Sequence, residues 1–486
     1  MSGDLLLTWI LCIPFIGALL ISLSGRWERV RDAVVLLVPL VLLALVVQLL
    51  QRVPDDQPQL LLGEIMPGLS LYFAAESLGT LFAAVAALLW PVASLYSIGY
   101  LRGNREKHQT RFHACFALSI GGAMGVALAG NLLTLFAAYE MLTLATYPLV
   151  VHKGDQKAMQ GGRTYLGILL LTSIGLFLPA MLWLWQLTGT LDFTPGGILT
   201  GVAIDERLLA VLLLLSSYGI GKAALMPMHR WLPAAMVAPT PVSALLHAVA
   251  VVKAGVFSIL KVMVYIFGIE RLAGIAASDW VFGIAAATIV IASVIALRQD
   301  NLKRRLAYST VSQLSYVVMG VFILAPLSLA GAALHIAAHA FGKITLFFAA
   351  GSIYTASHKT EISQLNGIGW RMPWTMGAFS IGALSMIGIP PLAGFLSKWY
   401  LLLGAWQAEH TLAMLVIIIS TLLNTAYFAP IIYAAWFRPA DEHSDHGEAP
   451  LAIVISLSIT ALLTLSLFLW TEVPLKLIAA IPGVAL

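Results

Sequence analysis

Apolar runs about twenty residues long recur from one end of this chain to the other, and that feature decides what it can fold into. The stretch from Val34 to Leu50, VVLLVPLVLLALVVQLL, carries no charged residue. A helix needs roughly 20 such residues to cross the hydrocarbon core of a bilayer. Strands of a membrane barrel alternate polar and apolar residues; these runs do not, so the spans read as helices. Of the 486 residues, 60% are hydrophobic and 10% charged, against about 25% charged in a typical soluble domain. That deficit demands lipid as a solvent and excludes a soluble enzyme.

A pass along the chain predicts an all-α polytopic membrane protein, one transmembrane domain over 1–486, with about 14 transmembrane helices. The spans are placed at 5–24, 33–50, 77–101, 112–129, 131–151, 161–187, 208–236, 240–267, 279–297, 308–324, 327–355, 373–404, 411–437 and 451–471. The stretch 52–75 is too polar and broken to cross and reads as an external hairpin or short loop segment. The first run lacks a basic leader and a small-residue cleavage site, so it is expected to be a retained helix.

The basic residues test this layout. With the N-terminus outside, eighteen of the 27 Lys and Arg fall on the cytoplasmic side and only Arg52, Arg207, Arg271 and Lys476 outside, the asymmetry expected of membrane proteins. Fourteen spans put both termini outside. The five basic residues left over, Lys222, Lys253, Lys261, Lys343 and Lys398, lie inside spans. Among the 23 acids only Glu140 lies deep in one. An ionisable group at mid-membrane costs roughly 2.5–3.5 kcal/mol on insertion scales, so each is a functional candidate by default.

Lys222 follows glycines and precedes Pro227 and Pro233. A helix broken at mid-membrane is tolerated where it lines protein or water, and lysine beside such a break reads as an ion-path residue. A Glu140–Lys222 contact that forms and breaks would load and release a proton, since a nearby acid favours the ammonium and burial opposes it. Lys253 reads as a relay, and His247, six residues earlier, as a bridge to a neighbouring helix. Lys261 lies nearer the external end and reads as a residue that snorkels. His335, His339 and Lys343 follow at i, i+4 and i+8, which stacks them on one helix face as a candidate proton wire. Lys398 follows the Pro390–Pro391 break. Two broken spans, the seventh and the twelfth, five spans apart, point to inverted five-helix repeats with approximate units 112–267 and 279–437.

Other features read as ordinary. Cys12 and Cys115 sit in apolar runs, with no disulfide framework, CxxC or metal-type spacing. RQDNLKRRLAYST, with Lys303, Arg304 and Arg305, reads as a solvated cytoplasmic turn and helix start, and DEHSDHGEAP as a solvated loop. No catalytic, metal or cofactor site is evident; the chain has no redox or hydrolytic centre of its own and no nucleic-acid surface.

The segment GKAALMPMHRWLPAAMVAPTPVSALLHAVAVVKAG resembles the signature of the proton-translocating antiporter-like subunits of Mrp cation/proton antiporters, respiratory complex I and membrane-bound hydrogenases. RRLAYSTVSQLSY, HIAAHAFGKITLFFAAGS and GIPPLAGFLSKW resemble the same family. The resemblance implies proton-transport roles for Glu140, Lys222, His247, Lys253, His335, His339, Lys343 and Lys398, with entry near Lys222 and exit near Lys398. Lysine at 398, where the middle complex I subunit usually has glutamate, and a chain that stops within fifteen residues of the last span look most like the Mrp D type. The alternatives are a complex I or hydrogenase pumping subunit, or a membrane scaffold without transport of its own. The implied setting is the bacterial cytoplasmic membrane, with other hydrophobic subunits and the lipid bilayer as partners, protons and Na+ or K+ as substrates, and no cofactor.

Overall fold

The computed structural model describes residues 2–53, 56–66, 68–440 and 447–484. Helices dominate: α1 (Gly3–Leu23), α2 (Glu28–Arg52), α3 (Ser77–Gly103), α4 (Gln109–Ala127), α5 (Leu132–Val150), α6 (Gln156–Thr188), α7 (Glu206–Gly219), α8 (Thr240–Phe267), α9 (Ala276–Leu297), α10 (Leu302–Phe322), α11 (Pro326–Ser357), α12 (Pro373–Ile387), α13 (Ala393–Gln407), α14 (Thr411–Phe437) and α15 (Leu451–Leu469). Ten of these, α1, α2, α3, α5, α6, α8, α9, α11, α14 and α15, are long and apolar enough to cross a membrane. The other four expected spans fall short of that measure. Those at 112–129 and 308–324 are α4 and α10, and those at 208–236 and 373–404 are interrupted.

The interruptions have local causes. After α7 the chain runs through short 3-10 turns and a single α-helical turn as far as Val237, with Pro227 and Pro233 unable to donate a backbone hydrogen bond and Ala224 in the left-handed region at φ +57°. After α12, Gly388 adopts φ +97°, open to glycine at little cost, and Pro390 and Pro391 follow before α13 begins.

The polar stretch 52–75 holds the antiparallel hairpin β1 (Gln59–Met66) and β2 (Leu69–Ala74). It is stitched to one end of the bundle: Gly130 N donates to Tyr72 O at 2.8 Å and Ala74 N to Leu128 O at 2.8 Å. We call this end the hairpin face and the opposite end the basic face.

The most apolar windows of α8 and α11 are wholly buried, whereas those of α1, α2, α6, α14 and α15 are only 28–39% buried. The outer helices leave Leu19, Leu37, Leu422 and Leu462 exposed, a surface stable in lipid rather than water. Alanine-rich α11 packs against α3, α8, α10, α12, α13 and α15, close approach being what small side chains permit between membrane helices.

At the basic face, Asp32 is ion-paired with Arg31 at 2.9 Å and with Arg102, and Arg31 and Asp32 are buried. Truncation of Asp32 leaves the Arg31 guanidinium buried without its counter-charge. Asp32→Ala is expected to cost about 3 kcal/mol, read as earlier thermal unfolding of the purified protein. Asp441 to His446 lie outside the described residues, but Glu448, from the same segment, is not simply solvated. It accepts from Trp374 N at 2.8 Å, Thr375 N at 3.1 Å and Thr375 Oγ1 at 2.6 Å, which caps the first turn of α12.

Candidate functional site

Lys222 lies in the break after α7 and is fully buried. Its Nζ donates to Tyr139 O at 2.8 Å and Thr143 Oγ1 at 2.6 Å, and its backbone N donates to Tyr139 Oη at 2.9 Å. The ammonium also stands over the Tyr139 ring, 3.1 Å from its centre. Residues 139 and 143, one turn apart on α5, therefore form the lysine's seat. Among the described residues Glu140 makes no ion pair with Lys222: it is only partly buried, and its buried Oε1 has no hydrogen-bond partner. The structure thus holds the pair apart.

The break abuts α8 directly. A Cβ on Gly255 would run into the carbonyl carbon of Lys222 and the amide nitrogen of Ala223, so glycine at 255 is what lets the broken segment lie against α8.

On α8, Lys253 is fully buried and its Nζ lies 2.6 Å from His339 Nδ1 on α11. With the ammonium as donor, His339 accepts at Nδ1 and carries its ring proton on Nε2. His335, one turn earlier, has its ring centre 6.0 Å from that of His339, and its Nδ1 lies 2.8 Å from Ser397 Oγ on α13. The free nitrogens His335 Nε2 and His339 Nε2 are buried without partners. His247 is buried 4.7 Å from the Phe347 ring; neither of its nitrogens has a hydrogen-bond partner, so the structure does not join it to Lys253.

Lys343 opens a second polar connection. Its Nζ donates to Ser309 Oγ at 2.7 Å, and Tyr427 Oη donates to the same oxygen at 3.0 Å. Tyr427 contacts Asn424, whose amide is satisfied with its oxygen turned to Lys398 Nζ at 3.0 Å and Gln313 Nε2 at 2.9 Å. Lys398 Nζ also donates to Met386 O at 2.9 Å and Ile387 O at 3.0 Å. These are carbonyls at the C-terminal end of α12, left without helical partners by the break, where the helix dipole favours a cation.

Two expectations are corrected. Lys261 does not snorkel: it is fully buried, ion-paired with Glu76 at 2.7 Å, and donates to Ala129 O at 2.7 Å. An acid at the start of α3 supplies a partner that Lys261's own span lacks. Nor is the segment around 303–305 simply solvated. Lys303 Nζ donates to Ala238 O at 2.6 Å. The guanidinium of buried Arg305 donates to Gln299 O, Tyr427 O and Leu297 O at 2.9, 3.0 and 3.3 Å, so it fastens the start of α10 to α14.

Sequence reasoning missed Tyr139, Thr143, Ser309, Gln313, Ser397, Asn424 and Tyr427. All lie within expected spans, and a search for every polar residue inside a span, rather than for charges alone, would have raised them.

The fold and this buried line of lysines and histidines define a class: a polytopic membrane protein whose ionisable groups run through its interior between helix breaks. The profile of the membrane part of NADH:quinone oxidoreductase and Mrp antiporters matches residues 129–424, and the chain belongs to that family. It is 34% identical over 362 residues to NADH-quinone oxidoreductase subunit N of Desulforudis audaxviator, covering 74% of this chain and 71% of that one. It is 28% identical over 408 residues to the D-type subunit of the Na(+)/H(+) antiporter of Alkalihalophilus pseudofirmus, covering 83% and 82%. The structure of the Mrp complex from Dietzia sp. contains a chain of the same fold, with a TM-score of 0.87 at 22% identity, covering 99% of this chain and 97% of that one. The protein is therefore an antiporter-like, proton-translocating membrane subunit.

Proposed function

We propose that this chain is the D-type subunit of a Na+(K+)/H+ antiporter complex in a bacterial cytoplasmic membrane, that it works beside other hydrophobic subunits, and that protons move along its buried lysines. The observation that carries this reading is the hydrogen-bonded chain Lys343–Ser309–Tyr427–Asn424–Lys398, set behind the Lys253–His339 contact. Hydrogen bonds run without a gap between the two buried lysines Lys343 and Lys398, which supports transfer of a proton between them once the hydroxyls and the amide reverse their donor direction. The excess of Lys and Arg at the basic face supports its assignment to the cytoplasm; in this reading the hairpin face and both termini are outside.

In this scheme a proton enters from the cytoplasm near Lys222. While Glu140 pairs with Lys222, the ammonium is held. When Glu140 swings towards a neighbouring subunit, Lys222 keeps only Tyr139 and Thr143 and yields charge to Lys253. Like charges in a low-dielectric interior repel, so a proton arriving at Lys253 drives one on through His339 and Lys343 towards Lys398. Units 112–267 and 279–437, each with one broken span, act as inverted halves.

A second reading is a pumping subunit of a complex I-like oxidoreductase, favoured by the 34% identity to NADH-quinone oxidoreductase subunit N. The complete complex, expressed in a host without sodium antiporters, separates the two. In inverted vesicles, Na+ or K+ should collapse an energised proton gradient, and Glu140→Ala should abolish the response with assembly intact. No cation response, with pumping only alongside electron transfer, would select the second reading.

A further inference from the structure

The path just described leaves one buried ion pair unused. Lys261 lies eight residues after Lys253 on α8, about 12 Å further along the axis, and its Nζ sits 2.7 Å from Glu76 Oε1. The lysine side chain is fully buried, while that of Glu76 is 14% exposed. The pair lies under the hairpin face: Lys261 also donates to Ala129 O, and Phe73 pairs with Ala129 across an isolated bridge. The Phe193 and Phe257 rings lie 4.6 and 5.4 Å from the ammonium.

Between this pair and Lys253, α3 packs on α8, with the Phe82 and Phe257 rings 5.0 Å apart. Two buried hydroxyls in the same stretch of these helices, Thr80 Oγ1 on α3 and Ser258 Oγ on α8, have no hydrogen-bond partner. A buried hydroxyl without a partner costs about 1–3 kcal/mol, a cost that a bound water would remove. Thr80 stands one turn below Glu76, and Ser258 stands between Lys253 and Lys261.

We propose that Glu76, positioned by Lys261, is the proton acceptor of a second outlet on the hairpin face, fed from Lys253 past Ser258 and Thr80. This rests on the transport reading above but adds an exit separate from Lys398. The proton leaves the Lys253 ammonium, which becomes the neutral amine, crosses through water at the two hydroxyls and protonates the Glu76 carboxylate. Lys261 keeps its own proton throughout. The proton then leaves through the exposed edge of the Glu76 carboxylate, which is 14% open, and the ion pair with Lys261 re-forms. The same ammonium opposes the return of a proton from outside by like-charge repulsion.

The test uses the complete complex in proteoliposomes, with proton flux followed by an internal pH dye. A Lys398→Ala background closes the other exit. Residual flux is expected in Lys398→Ala, and Glu76→Gln in that background should remove it, a loss of roughly 100-fold for a positioned proton acceptor. The exchange Glu76→Lys with Lys261→Glu keeps an ion pair and hence assembly, but it moves the carboxylate onto α8. A merely structural pair would keep the residual flux in the exchange; an acceptor at position 76 loses it. Absence of residual flux in an assembled Lys398→Ala complex, or its survival in Glu76→Gln, would overturn the second outlet. A wild-type complex with no proton flux would instead remove the transport reading beneath it.

Discussion

Lys253→Met is expected to stop proton transfer through an otherwise assembled complex. The methionine has nearly the length of the lysine stem and suits a buried, adaptable site, so packing around α8 changes little. Chemically, the change removes the group that meets His339 Nδ1 at 2.6 Å, and with it the link between the Lys222 region and α11. A proton would then have to occupy an apolar stretch with no titratable host. At roughly 2.5–3.5 kcal/mol for a charge inserted at mid-membrane, and 1.36 kcal/mol for each factor of ten in rate, the loss is about 100-fold. Flux in vesicles, alongside native gel electrophoresis for assembly, checks it. Lys253→Arg, which keeps a permanent charge too tightly held to relay, should be equally inactive; activity in that variant would show that only the charge matters.

The second large effect concerns a residue with no chemistry. Gly255→Ala places a methyl group against the backbone of Lys222 and Ala223. Backbone cannot yield as a flexible side chain does, so the broken segment must move, at about 1–3 kcal/mol of overpacking strain. That segment positions the Lys222 ammonium between Tyr139 O and Thr143 Oγ1, and a shift of this seat misaligns the donor for its next acceptor. We therefore expect Gly255→Ala to lower flux more than stability: an assembled, somewhat less heat-stable complex with transport reduced tenfold or more. Unchanged flux would show that the contact between the break and α8 has no part in setting the lysine.

Much of this architecture was legible because membrane physics leaves few choices. Apolar length and the absence of alternation pointed to the helices, and the prolines at 227, 233, 390 and 391 marked both breaks. The charges were legible for the same reason, since a lysine such as Lys343 amid HIAAHAFGKITLFFAAGS has no cheap explanation in lipid. Partners across helices were not. Glu76 is separated from Lys261 by 185 positions, and nothing in either local pattern announces the other, so a buried ion pair looked like a lysine able to snorkel. Arg305 reads locally as part of a charged turn, yet the carbonyls it binds include one on α14. Tyr139 and Thr143 were overlooked beside the more conspicuous Glu140, although a one-turn spacing places them together against Lys222 whereas Glu140 points to a partly open flank.

The central claim is that protons reach the buried line through Lys222, and the most direct measurement is proton flux through the Lys222→Ala variant. The assembled complex, reconstituted in proteoliposomes under an imposed pH gradient, would be compared with wild type at matched protein content. The account predicts flux reduced to the background of empty liposomes, because Lys222 stands ahead of Lys253 and of every exit. Full flux through a Lys222→Ala complex shown to be assembled would contradict it.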